Sequence, residues 1–255
     1  MIGLILGTSE GKKIVSLLNK YTEDLFISTA TAYGGELLEN YKYKILNTSP
    51  LDLNAMVEVI NENKIKVFVD ASHPYAVEVT KNAMKACKVC GIEYLRYERP
   101  SAIEKYRSYE KLIEVEDYED IYAHLKNVKG NILNTTGSRN LAKILDLGLD
   151  NRIIQRVLPS TKVIKECYDL GISLQDIVAI KGPISYDLNL SFLKEYKAVA
   201  ILMKDSGVEG GTEEKIKAAM ELSIYAIVIK RKTIDYKNVF YNVEDLVSYI
   251  KNLVH

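Results

Sequence analysis

The feature that most restricts the fold is a rhythm. Short β-branched runs recur at residues 2–6, 25–28, 67–71, 92–96, 131–135, 153–157, 177–181, 198–203 and 226–229. Between them, stretches 12–20, 53–63, 77–89, 161–170, 188–196 and 213–222 space apolar residues three or four apart, as helices covering a sheet do. Strand and helix alternating this often predict a parallel sheet. After Arg99-Pro100 the pattern relaxes into a charged, tyrosine-dotted segment, 104–120, and a second series begins near Gly130. The expected architecture is therefore α/β: two Rossmann-like lobes with parallel sheets, residues 1–105 and 106–255, and a ligand cleft between them. Open parallel sheets bind ligands at the carboxyl ends of their strands, so functional residues are sought there.

Composition narrows the partners. Lys plus Arg and Asp plus Glu both number 34 in 255 residues, so no general field draws in nucleic acid or an anionic membrane, and an anionic ligand must meet a local cluster. The apolar stretch 2–6 is too short for a signal peptide or a membrane span, which predicts a soluble, cytoplasmic protein. Cys87, Cys90 and Cys167 are too few for a disulfide framework. The C-x-x-C at 87–90 falls late in a helix with no second pair, and is read as inert thiols rather than as a metal or redox site.

The first turn, Gly7-Thr8-Ser9-Glu10-Gly11, admits two chemistries. As G-x-S-x-G it is a nucleophile elbow with Ser9 attacking, but no strand precedes it to bring an oxyanion loop, and the histidines are only His73, His124 and His255. As a glycine turn between strand and helix it cradles a dinucleotide: Gly7 for the tight turn, Thr8 and Ser9 offering hydroxyls and amides to a pyrophosphate, Gly11 for close approach of the helix. Glu10 counts against phosphate there unless it points aside, toward a ribose hydroxyl. An ordinary strand-to-helix turn is the plain alternative.

Other strand ends carry polar groups. The second ends in Ser28-Thr29-Ala30-Thr31-Ala32-Tyr33-Gly34-Gly35, without the acid or the arginine that would select NAD or NADP. The third ends with Asp70 and His73-Pro74, readable as a site or as a capped helix start, and the fourth with Arg96-Tyr97-Glu98-Arg99-Pro100. These two arginines suit carboxylates, or else a salt bridge with Glu98 or Glu93. In the second half come Thr136-Gly137-Ser138-Arg139, then Arg156, then Lys181-Gly182-Pro183. The densest run is Lys204-Asp205-Ser206-Gly207, followed by Gly210-Gly211-Thr212-Glu213-Glu214-Lys215. It sets a cation, a carboxylate and a hydroxyl in succession at a flexible strand end. An N-cap at Thr212 with acids in the first turn explains Glu213 and Glu214, but not Lys204 or the glycines.

Taken in order, Gly-Thr-Ser-Glu-Gly, Ser-Thr-Ala-Thr-Ala-Tyr-Gly-Gly, Asp-Ala-Ser-His-Pro-Tyr-Ala, Arg-Tyr-Glu-Arg-Pro, Thr-Thr-Gly-Ser-Arg-Asn-Leu, Arg-Val-Leu-Pro, Lys-Gly-Pro-Ile-Ser and Lys-Asp-Ser-Gly-Val-Glu-Gly-Gly-Thr-Glu-Glu-Lys resemble the precorrin-6A reductase family of cobalamin biosynthesis, over residues 2 to about 231. One departure is Leu6, where the family usually has the first of two glycines. The resemblance implies an NAD(P)H-dependent oxidoreductase acting on a CH–CH group, reducing one ring double bond of a corrin precursor. The chain reads closer to the cobalt-containing branch, which implies cobalt-precorrin-6A as substrate, cobalt-precorrin-6B as product and NADH as reductant; NADPH and the metal-free ring are the alternative. Cobalt belongs to the substrate, so no protein metal site is implied. Under this reading the cofactor is held by Gly7, Thr8, Ser9, Glu10, Gly11, Thr29, Tyr33 and Asp70. The carboxylate arms of the macrocycle are met by Arg96, Thr136, Gly137, Ser138, Arg139, Arg156, Gly207, Gly210, Gly211 and Lys215. Lys204, Asp205, Ser206 and His73 are the candidates for proton chemistry. A serine hydrolase and a two-lobed binding protein without chemistry are the rival classes.

Overall fold

The protein is described by a computed structural model covering residues 1–7 and 10–254. Among these residues the chain forms two parallel sheets of six strands each. Two compact units result: residues 1–99 together with 233–255, and residues 100–232. The tail thus belongs to the first unit, whereas an unbroken second half, 106–255, was expected.

In the first unit β1 (Ile2–Leu6), α1 (Gly11–Leu18), β2 (Leu25–Ser28), α2 (Ala32–Glu36), β3 (Ile45–Asn47), α3 (Leu53–Glu62), β4 (Val67–Ala71), α4 (Val77–Cys90) and β5 (Glu93–Tyr97) alternate along the chain. The sheet order is β5-β4-β1-β2-β3. Side chains on β1 point alternately to two cores. Leu4 and Leu6 meet Ile14, Val15 and Leu18 of α1, while Ile5 meets Met56 and Ile60 of α3 and Ala83 and Ala86 of α4. The Cys87 thiol lies in the second core, where burial pushes its pKa up to about 12, as an inert thiol requires.

The second unit begins with β6 (Leu112–Val115) and α5 (Ile121–Leu125), and continues with β7 (Asn131–Asn134), α6 (Leu141–Leu145), β8 (Ile153–Val157), α7 (Thr161–Asp169), β9 (Ile177–Ala179), α8 (Tyr186–Glu195), β10 (Ala198–Lys204), α9 (Thr212–Glu221) and β11 (Tyr225–Ile229). Its sheet order is β6-β11-β10-β7-β8-β9. The segment 104–120 therefore carries an edge strand, whose half-exposed residues Leu112, Ile113 and Glu114 hid it among charges. After Lys232 the chain adds β12 (Val239–Phe240) beside β5 and then α10 (Val243–Val254). Val243, Leu246, Val247 and Ile250 of α10 are buried in the first core, at the spacing of one helical face.

Candidate functional site

Each sheet reverses its strand order once, and there the chain leaves two adjacent strands in opposite directions and opens a crevice at their carboxyl ends. In the first unit the reversal falls between β1 and β4, in the second between β7 and β10.

At the first reversal the Gly7 amide donates to the Ala71 carbonyl at 2.9 Å. A Cβ at Gly7 would stand 3.2 Å from that oxygen and 3.8 Å from Nη2 of Arg99, so the turn passes close beside a guanidinium. Arg99 pairs through Nε with Glu10 Oε1 at 2.5 Å, and both side chains are buried. The pair removes the objection to Glu10, because the carboxylate faces an arginine rather than an incoming phosphate. A close glycine turn leading into a helix that starts at Gly11, with the Glu10 charge answered by Arg99, fits a dinucleotide's diphosphate in this structure. Thr8 and Ser9 lie outside the described residues.

Around this turn the expected cofactor contacts divide. The Thr29 hydroxyl donates to the Thr31 carbonyl at 3.0 Å, and the Thr31 hydroxyl accepts from the Gly34 amide at 3.2 Å to cap α2, which leaves Tyr33 41 % exposed at the loop. Asp70 is 0 % exposed. It pairs with Arg96 at 2.9 Å and accepts from Thr80 Oγ1 at 2.7 Å, Tyr94 Oη at 2.8 Å and the Ser72 amide at 2.9 Å. Arg96, expected to grip a substrate carboxylate, is 1 % exposed and already holds two acids, Asp70 and Glu98 Oε2 at 2.8 Å, under the Tyr236 ring. Burial alone would lower its pKa, but the two carboxylates outweigh it and raise it. Asp70 and Arg96 are thus a strut beneath the 72–76 loop, placed so because they are register partners on β4 and β5. That strut carries half-buried His73, whose Nδ1 accepts from the Tyr75 amide at 3.3 Å.

The second reversal is built differently. Asn134 at the end of β7 donates to Gln155 Oε1 at 2.6 Å and accepts from both the amide and the hydroxyl of Thr136, fixing the start of the 136–139 loop. Gly137 turns there with φ +88°, half-buried Ser138 follows, and Arg139 is exposed. Across the reversal Lys204 ends β10 half-buried; burial, then the repulsion of Arg139, lower its pKa. Asp205 next to it is buried and paired with Arg231 at 3.2 Å, and it accepts from the amides of Ala102 and Gly207. It acts as an anchor for the loop. Thr212 does not serve as the helix cap. Its hydroxyl accepts from the Ser206 amide at 2.9 Å and donates to the Lys204 carbonyl at 3.2 Å, closing the loop on itself.

The loop glycines are needed for this closure. A Cβ at Gly210 would stand 2.2 Å from Ser206 Cβ, and Gly207 and Gly211 hold positive φ. Gly210→Ala is expected to lower the urea midpoint by an amount worth about 1–3 kcal/mol without altering the m value. An unchanged midpoint would mean that the loop opens freely.

Behind the loop lie Arg156 of β8 and Lys215 of α9. Arg156 Nη1 donates to Asn189 Oδ1 at 2.8 Å, and burial lowers its pKa to about 10. Lys215 is 6 % exposed, and its ammonium reaches the Gly210 carbonyl at 3.4 Å. Arg139, Arg156, Lys204 and Lys215 thus gather basic charge at one sheet end. Sequence reasoning named all four, but missed Arg231 and Asn189, which hold Asp205 and Arg156 in place. Among the described residues, no three His, Cys, Asp or Glu side chains group to hold a metal, and no helix is long and apolar enough to cross a membrane.

Two doubly wound parallel sheets, one presenting a glycine turn beside an arginine and the other a basic loop cluster, define an α/β protein of Rossmann-like class. The chain matches the family described as Precorrin-6x reductase CbiJ/CobK over residues 1–251, and it belongs to that family. It is 36 % identical over 245 residues to the cobalt-precorrin-6A reductase of Methanocaldococcus jannaschii, covering 95 % of this chain and 93 % of that protein. It is 33 % identical to that of Priestia megaterium, covering 99 % and 98 %. The solved structure of a CobK precorrin-6A reductase superposes with a TM-score of 0.81 at 18 % identity, covering 99 % and 97 %, and bears out the fold.

Proposed function

We propose that this protein reduces one ring double bond of cobalt-precorrin-6A to give cobalt-precorrin-6B, with NADH or NADPH as reductant, in the cytoplasm. The first unit is assigned to the nucleotide and the second to the macrocycle. The observation that carries this reading is the contrast between the two switch points. One is a close glycine turn opening the amino end of α1 beside the Glu10–Arg99 pair, suited to a diphosphate. The other offers Arg139, Arg156, Lys204 and Lys215, suited to a ring bearing many carboxylate arms. The names of the relatives support the substrate.

A bound nicotinamide supplies the hydride. The chain's own residues orient the reactants and deliver the proton that the neighbouring carbon needs. Lys204 is the proposed donor: it is half-buried, its pKa is lowered by burial and by Arg139, and it is held at the strand end by the Thr212–Ser206 closure. Asp205 and Ser206 shape that loop, and His73 is a second proton candidate beside the nucleotide turn. Thr136, Gly137, Ser138, Gly207 and Gly211 contribute loop backbone and hydroxyls around the macrocycle.

Anaerobic assays following NADH and NADPH oxidation in parallel, with cobalt-precorrin-6A and with the metal-free ring, test the reading. Stoichiometric coenzyme oxidation with the cobalt substrate is expected. Turnover confined to the metal-free ring would overturn the substrate assignment, and no oxidation with either would overturn the reaction.

A further inference from the structure

Buried Lys215 and half-buried Arg156 differ from the ion-paired arginines of the described residues. Arg96, Arg99 and Arg231 each have an acid within 3.2 Å. Arg156 instead faces the neutral amide of Asn189, which is itself turned by donating to the Ser185 and Ile184 carbonyls at 2.8 and 3.2 Å. Lys215 has a backbone carbonyl at 3.4 Å and, among the described residues, no carboxylate within 4 Å. A buried ammonium and a half-buried guanidinium brought together with no carboxylate in ion-pair contact are costly to an empty protein. The arrangement is favourable once an anion lies between them.

We propose that Arg156 and Lys215 form a buried subsite for one carboxylate arm of the macrocycle, and that filling it draws one proton from solvent onto Lys215. This rests on the assignment of the macrocycle to the second unit. The charged groups facing Lys215 are Arg156 from β8, Glu214 from its own helix and Asp205 from the loop after β10. Burial, then Arg156, lower the lysine's pKa; Glu214 and Asp205 oppose them, but Asp205 is committed to Arg231, and the balance leaves Lys215 titrating at about 7 against 10.5 for a free lysine.

In the ligand-free protein the lysine therefore costs stability in full below pH 7, and the cost fades as the pH rises toward 10.5. A carboxylate arm reverses the balance. Its negative charge sits beside Nζ and restores the ammonium, so at pH 8 a proton moves from buffer to Lys215 while the arm stays ionised. Uptake should be about half a proton at pH 7 and nearly one at pH 8. Affinity should weaken as the pH climbs above 7.

The test is calorimetric titration of the coenzyme-free protein with cobalt-precorrin-6A at pH 8, in HEPES and in Tris. Proton uptake is read from the dependence of the observed enthalpy on the buffer's ionisation enthalpy. Wild type should take up close to one proton. Lys215→Arg, permanently charged, should bind with no uptake and with an affinity flat in pH; Lys215→Met should lose about tenfold or more in affinity and all uptake. Lys204→Met separates the two lysines, since it should keep the uptake. Binding by wild type with no linked proton, or uptake that persists in Lys215→Met, would overturn this inference alone. Absence of binding would overturn the substrate assignment and this inference with it.

Discussion

Replacing Arg96 by methionine is expected to cost about 3–5 kcal/mol of folding stability, read as a fall in the urea midpoint. The guanidinium answers Asp70 and Glu98 at 2.9 and 2.8 Å and donates to Ser72 Oγ at 3.2 Å, all where water hardly enters. Without it Asp70 keeps donors from Thr80, Tyr94 and the Ser72 amide but has no countercharge. Adding Asp70→Asn should recover part of the loss, because a neutral side chain needs no cation. A loss under about 1 kcal/mol in the single variant would show that the strut is not what holds this corner.

Arg156→Met should behave in the opposite way. The ligand-free protein is expected to shift by no more than about 1 kcal/mol, since removing a desolvated charge offsets leaving Asn189 Oδ1 without its donor. The reductase should instead lose about 2 kcal/mol or more of binding, a rise in KM of ~30-fold, with kcat much less affected. A marked loss of stability with KM unchanged would place Arg156 among the scaffold residues. Two arginines of one type at strand ends thus separate by what already faces them.

That separation marks how far the sequence could be read. Most strands and helices α1, α3, α4, α7, α8 and α9 were visible because β-branched runs and apolar spacing are local signals. The 204–215 loop was visible because a cation, an acid and three glycines in succession have few purely structural uses. Arg96 was read toward substrate because its chief partner, Asp70, lies on another strand and meets it only through sheet register. Glu98, two residues on and so on the same strand face, was the legible half of the pair. The Glu10–Arg99 and Asp205–Arg231 pairs were missed for the same reason, their members being distant in the chain. β12, two residues long, gave too little pattern to register. α10 was missed as well, although its apolar face has ordinary helical spacing at 243, 246, 247 and 250.

The return of residues 233–255 to the first unit has a bearing on how the protein is made. On the ribosome the second unit, contiguous in the chain, has all its parts before the first has received β12 and α10. For the interval needed to synthesise the intervening residues, on the order of ten seconds, the nascent amino-terminal part must carry uncovered the oily patch that Leu246 and Ile250 will later seal. The half that leaves the exit tunnel earliest is then the last to be finished, and the one most in need of a chaperone.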